Sequence, residues 1–336
     1  MRPRLKRALF WLRIVVPILL LTIIFSRIDL PHLLSTLRGV KLDLAIYSLA
    51  IGYLAPVFLC AWRWQIVLRV LYGVRTSYFF LLKHFWIGMF VGYLVPGGIG
   101  TDIYRVACAA KREGGFQINA TAVVGEKLLV VVANGLILLL TYPFVAHVIN
   151  VPAEFMPLIR GAYVAGIIVL AILALVLLAG STAGRRLRAA VEGRLRRIIA
   201  RLAHDAVPTR AVNSVGVLDA IKPFFVARNQ LLIVAVTALN QIIASYGGRL
   251  LMLSVGVDLS LTVHVFIWSL VLFIFLIPVS IGTLGVREAT FILVFGLFGV
   301  GSEEALAGSF VALASMLFTV ALGGLVWLAQ ARGRRP

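Results

Sequence analysis

Two ten-residue stretches carry the residue types that could do chemistry: PGGIGTDIYR, from Pro96 to Arg105, and PVSIGTLGVR, from Pro278 to Arg287. Both fit P-x-x-I-G-T-x-x-x-R without a gap. Proline and glycine interrupt a helix and release backbone N–H and C=O groups. At membrane depth such backbone is tolerated only where protein buries it or it lines a wet cavity. Gly97, Gly98, Gly100, Gly282 and Gly285 let a ligand or a neighbouring backbone approach closely. Thr101 and Thr283 can hydrogen-bond the released groups or a headgroup, and Arg105 and Arg287 place guanidinium forks beside helix N-termini, an arrangement suited to phosphate. A further arginine precedes each motif, Arg63 in AWRWQIVL and Arg249 in GGRLLML, 33 and 29 residues before the respective proline. Asp102, Glu126, Lys127 and Glu288 complete the set, because an ionisable group inside a bilayer is costly and is a functional candidate by default. Pairing of Arg105 with Glu126, or of Arg287 with Glu288, would lock the structure. A pair that opens for an anionic headgroup would act as a gate. The plainer reading of both motifs is Pro-Gly turns that merely connect ordinary helices.

Other chemistries lack their residues. Cys60 and Cys108 have no metal-ligand spacing, the five histidines form no HExxH or similar pair, and no Walker motif is present. No metal or cofactor is therefore expected. A net charge of +19 could suggest nucleic acid, but its placement argues otherwise. Residues 181–228 hold ten Lys or Arg against Glu192, Asp205 and Asp219, which is what a cytoplasmic loop between membrane spans should look like. Within it, Arg185 to Arg201 alternates with Leu187, Ala190, Leu195, Ile198 and Ile199 at helical spacing, as an amphipathic helix on an anionic inner leaflet would. A topology determinant with no further role is the simpler account of the same run.

The elements that must position these residues are apolar helices. The chain of 336 residues is 61% hydrophobic and 13% charged, with mean hydropathy +1.03, far from the composition of a soluble domain. Apolar runs at 14–25, 42–62, 128–149, 161–179, 229–246 and 305–329 approach the length a bilayer core requires, about 20 residues. The first run follows Arg2, Arg4, Lys6 and Arg7 and reads as a retained helix. The positive-inside rule puts both termini and the segments 63–77 and 104–117 in the cytoplasm, and puts 142–160, 253–261 and 301–304 outside. The segment 26–41, with Arg27, Arg38 and Lys41 against Asp29, must lie outside in violation of the rule. Residues 78–95 are apolar enough to cross, yet both flanks belong inside; 262–300 begins and ends outside. A re-entrant hairpin at each motif resolves the conflict. The fold expected is an all-α polytopic membrane protein of about six full spans plus two re-entrant hairpins. Its halves, about 8–141 and 161–329, would form an inverted repeat, since corresponding motifs are approached from opposite sides.

The sequence as a whole resembles a known family. Arg63-Trp64, VPGGIGTDIYR, Glu126-Lys127 and PVSIGTLGVREA are similar to the lysylphosphatidylglycerol synthase transmembrane, or flippase-like, family. In its two-domain members the membrane part is implicated in moving aminoacylated phosphatidylglycerol between leaflets, and a soluble aminoacyltransferase domain follows. This chain stops at Pro336, seven residues after its last span, so the resemblance implies translocation without synthesis. The implied partner is an anionic phospholipid or other amphiphilic envelope lipid, in the bacterial cytoplasmic membrane, with room for a homodimer. The alternative is a membrane enzyme or accessory subunit acting on lipid-linked substrates, for which Asp29 is the best single base.

Overall fold

In the computed structural model, the residues described are 17–95, 100–112, 115–150, 161, 163, 164, 167, 227–275 and 285–332. Every regular element among them is a helix. In chain order they are α1 (Pro17–Arg27), α2 (Leu30–Arg38), α3 (Leu42–Val70), α4 (Tyr78–Leu94), α5 (Gly100–Ala110), α6 (Gly115–Val145), α7 (Ala227–Ser254), α8 (Leu261–Phe275), α9 (Val286–Gly296) and α10 (Ser302–Arg332). Four helices, α3, α6, α7 and α10, are long and apolar enough to cross a membrane. Apart from 161, 163, 164 and 167, the span expected at 161–180 lies outside the described residues, as do the amphipathic run 185–201, the charged termini and Pro96, Gly97, Gly98, Pro278, Gly282 and Thr283.

Local sequence accounts for the breaks. Between α1 and α2 the chain turns by 93°. Asp29 is extended there, its carboxylate accepts from the His32 N–H at 3.3 Å, and Pro31 stands in the first turn of α2. This makes Asp29 an N-cap. The segment 26–41, expected as a loop, is thus largely helix, with Leu33 buried and Leu30 and Leu34 exposed.

In α3, Pro56 follows a π-helical stretch, Leu49–Leu54. Proline has no N–H and its ring would clash with the carbonyl four residues back, at Gly52, and the wider turn relieves both. At that site α7 crosses, Gly52 against Gly247: a Cβ on Gly52 would come within 3.1 Å of the Gly247 Cα, and one on Gly247 would overlap the Gly52 backbone. Gly247→Ala is therefore expected to destabilise by about 1–3 kcal/mol through overpacking, and Gly52→Ala by less. Thermal unfolding of the detergent-purified variants should rank them in that order; equal melting temperatures would be incompatible with this crossing.

The described part of each motif, Gly100–Arg105 and Gly285–Arg287, opens the second leg of a helical hairpin. α4 and α5 run antiparallel: Gly100 packs on Gly92, Thr101 on Gly88 and Gly92, the Tyr104 hydroxyl lies 3.0 Å from His84 Nδ1, and Arg112 lies over Phe80. α8 and α9 do the same, with His264 beside Phe295 at 6.1 Å and Trp268 beside Phe291 at 5.7 Å between ring centroids. The legs are short. At 1.5 Å per residue, the 17 residues of α4 extend about 25 Å and the 11 residues of α5 or α9 about 16 Å, less than a bilayer core of about 30 Å.

The hairpins open toward opposite ends of the bundle. At one end the Asp29 N–H donates to Glu303, His32 meets Glu304 at 3.5 Å, the Lys41 N–H donates to the Ser254 carbonyl and the Asn150 N–H to the Leu297 carbonyl. The open ends of α8 and α9 lie there, together with described parts of the three segments assigned outside by their charges and of 26–41, assigned outside against its charges. The open ends of α4 and α5 lie beside Trp327 and Gln330, at the far end of α10. Over the described residues the element lengths also run in parallel: 29 and 28 residues for α3 and α7, 17 and 15 for α4 and α8, 11 for both α5 and α9, and 31 for both α6 and α10. Packing partners exchange in the same way, α6 with α8 and α10 with α4.

Candidate functional site

Helices α3, α5, α6 and α7 converge on one buried carboxylate. Glu126, on α6 and 2% exposed, accepts from Arg63 Nε at 2.9 Å and from Arg105 Nη2 at 2.6 Å. Arg63 also donates to the Thr237 hydroxyl at 3.4 Å and contacts Cys60 Sγ at 3.7 Å. The Arg105 guanidinium lies between aromatic rings, 4.4 Å from the Trp64 centroid and 4.9 Å from that of Phe85. Its Nε finds no hydrogen-bond acceptor, and neither does Trp64 Nε1. The shell is apolar, with Ile66, Val67, Leu68, Leu81, Leu129 and Ile233 buried around it. Two arginines thus share one carboxylate in a dry setting where each charge is expensive. Asp102, on the first turn of α5, adds a second carboxylate 3.6 Å from Arg105, but it is also paired with half-exposed Lys127.

The second motif builds a tighter unit. Gly285 has φ +75°, a left-handed conformation that favours glycine, and a Cβ there would press on the Pro17 backbone. From that N-cap, Glu288 turns back to accept the Gly285 N–H at 2.6 Å, and its other oxygen pairs with Arg287. Arg287 Nε donates to the Ser309 hydroxyl at 3.1 Å, and Arg287 Nη1 finds no acceptor among the described residues. Both side chains are buried. This cluster is neutral where the first is not.

A family model described as the lysylphosphatidylglycerol synthase TM region matches residues 10–324. The chain belongs to this family. No curated protein matches it. The matched span contains both motifs and both clusters, so the lysylphosphatidylglycerol synthase TM region of this chain is the all-helical bundle described above, a membrane protein tied by family to lipid metabolism or transport.

Within this family framework, the pairs expected from the sequence, Arg105 with Glu126 and Arg287 with Glu288, are both present. Arg63 joins the first cluster. It does not belong to a cytoplasmic loop, as its count among the 63–77 cations supposed: α3 continues through it to Val70 and buries it. Arg105, counted with the 104–117 loop, is likewise helical and buried. Arg249 stays apart from Arg287. It is partly exposed near the end of α7, where it holds the following loop through the Leu259 carbonyl at 3.0 Å and Asp258 at 3.1 Å. Gly100 and Thr101 serve the packing of the hairpin legs. Asp29, the best base for an enzyme reading, caps α2 through one carboxylate oxygen. Thr237, Ser309 and the Trp64–Phe85 pair around Arg105 had escaped the sequence reading as site residues. A hydroxyl in an apolar helix is too common to single out, and which aromatic meets an arginine depends on how the helices are rotated.

Proposed function

We propose that this chain moves an anionic amphiphile, a phospholipid or another envelope lipid, between the leaflets of a bacterial cytoplasmic membrane. In this reading α4–α5 and α8–α9 are re-entrant hairpins among about six spans, in two halves of an inverted repeat with both termini cytoplasmic. The short legs, the opposite openings, the matched element lengths and the exchanged packing partners support it. The observation that carries the reading is the surplus of buried positive charge on Glu126: Arg63 and Arg105, both buried, share that one carboxylate, while the nearby Asp102 is paired with half-exposed Lys127. A phosphate would complete that charge balance through the donors already converging there. The lipid's tails would stay in the bilayer while its headgroup passes between the hairpins. The basic run at 185–201 would rest on the anionic inner leaflet.

The test is headgroup accessibility in vesicles holding the purified protein and a fluorescent phosphatidylglycerol, read as quenching by an impermeant reductant. Wild-type protein should expose the inner-leaflet pool, whereas Arg105→Met should slow that exposure about ten-fold or more, the loss of one charge-assisted contact being worth about 1.5–3 kcal/mol. The variant should still fold, because Glu126 keeps Arg63 as its partner. No acceleration by the wild type for any anionic lipid would defeat the proposal.

A further inference from the structure

Between the open end of the α4–α5 hairpin and the last turns of α10 lies a cavity of about 660 Å³, within the usual range for small-ligand sites. Among the described residues its lining holds two cations, Lys111 and Arg112, and no carboxylate. The Arg112 guanidinium lies 4.5 Å over the Phe80 ring. That stacking orients the fork and uses none of its N–H donors. On the α10 side, Gln330 Oε1 is buried without a hydrogen-bond donor among the described residues, so an occupant that supplies one would relieve it. Trp327, also in the wall, is 45% exposed and stacks near Phe90, the placement of an aromatic at a membrane–water interface.

The cavity and the buried cluster occupy adjacent faces of the same hairpin. On α4, His84 lines the cavity while Phe85 packs on Arg105; on α5, Tyr104 lines the cavity while Arg105 turns to Glu126. The 3.0 Å contact between His84 and Tyr104 joins the two legs at that level.

We infer that this cavity is the loading site for a phosphate-ester headgroup that also carries hydroxyl groups. Lys111 and Arg112 take the phosphate, and Gln330 accepts from a hydroxyl. The polar headgroup sits beside the hairpin, and the exposed Trp327 edge faces the lipid that holds the tails. Its place in a transport cycle rests on the translocation reading above; its chemistry does not.

Calorimetric titration of the purified full chain tests it, with dihexanoyl phosphatidylglycerol, dihexanoyl phosphatidylcholine, glycerol phosphate and inorganic phosphate as probes. Phosphatidylglycerol should bind about ten-fold more tightly than phosphatidylcholine. Lys111→Gln/Arg112→Gln should abolish that preference, and Gln330→Leu should weaken phosphatidylglycerol alone. Arg38→Gln/Lys41→Gln, which removes the same charge from the opposite end of the bundle, should leave it intact. An unchanged preference in Lys111→Gln/Arg112→Gln overturns the site. Binding of inorganic phosphate or glycerol phosphate as tight as that of the lipid puts the ligand in solution and overturns the lipid assignment. The vesicle assay separates the two readings. Binding of this pattern without translocation defeats translocation and leaves the loading site standing. Translocation with Lys111→Gln/Arg112→Gln unchanged in both binding and rate defeats the loading site alone.

Discussion

Glu126→Ala should be the most damaging single substitution in the α3–α5–α6 cluster. It leaves Arg63 and Arg105, both buried, without the carboxylate that each donates to. Removing one member of a buried ion pair costs about 3–5 kcal/mol, because the remaining charge keeps its desolvation penalty and loses its partner. Here two charges are stranded by one change. The variant should be recovered in low yield and should melt well below wild type in detergent. Arg105→Met makes the decisive comparison. It removes the surplus cation and leaves Arg63 paired with Glu126, so its loss of stability should be the smaller. If Glu126→Ala melts no lower than Arg105→Met, the cluster is not held by its charge balance. Arg63→Met should fall between them, because it also frees the Thr237 hydroxyl and alters the contact with Cys60.

Arg287→Met should destabilise by a similar about 3–5 kcal/mol, for the opposite reason. Glu288 is 1% exposed, and without Arg287 its remaining partner in the cluster is the Gly285 N–H. A buried carboxylate then has no counter-charge. The double variant Arg287→Met/Glu288→Gln removes both charges and keeps an amide oxygen able to accept the Gly285 N–H at the start of α9. It should recover much of the lost melting temperature, a rescue that a double-mutant cycle reads directly as coupling between neighbours. Additive losses in the double variant would mean that the two residues act independently, contrary to their contact. Whether the rescued protein still moves lipid is a separate readout. Restored stability without restored movement would assign Arg287 a part in transport beyond locking the hairpin.

The sequence by itself determined that this is an all-helical membrane protein with two copies of one broken motif. The reason is that those properties are local: run length and hydropathy set which segments suit a bilayer, and proline and glycine mark where helices break. Three loops placed together by their charges, 142–160, 253–261 and 301–304, and the segment 26–41, placed with them against its own charges, meet through the contacts at Asp29, Lys41, Asn150 and Glu303. Helix ends were less legible. α3 runs on to Val70, past the end of its apolar core, because tertiary burial carries Arg63 inside where hydropathy alone would put it in water. Tertiary structure alone decided which charges are buried together and which stay near the surface. Arg63 and Arg249 occupy comparable sequence contexts, yet one lies where four helices converge on Glu126 and the other ties down a loop through Asp258. That difference comes from helix crossings such as Gly52 on Gly247 and from the rotation of each helix about its axis. Both are settled by contacts between residues far apart in the chain, and no spacing within a motif records them.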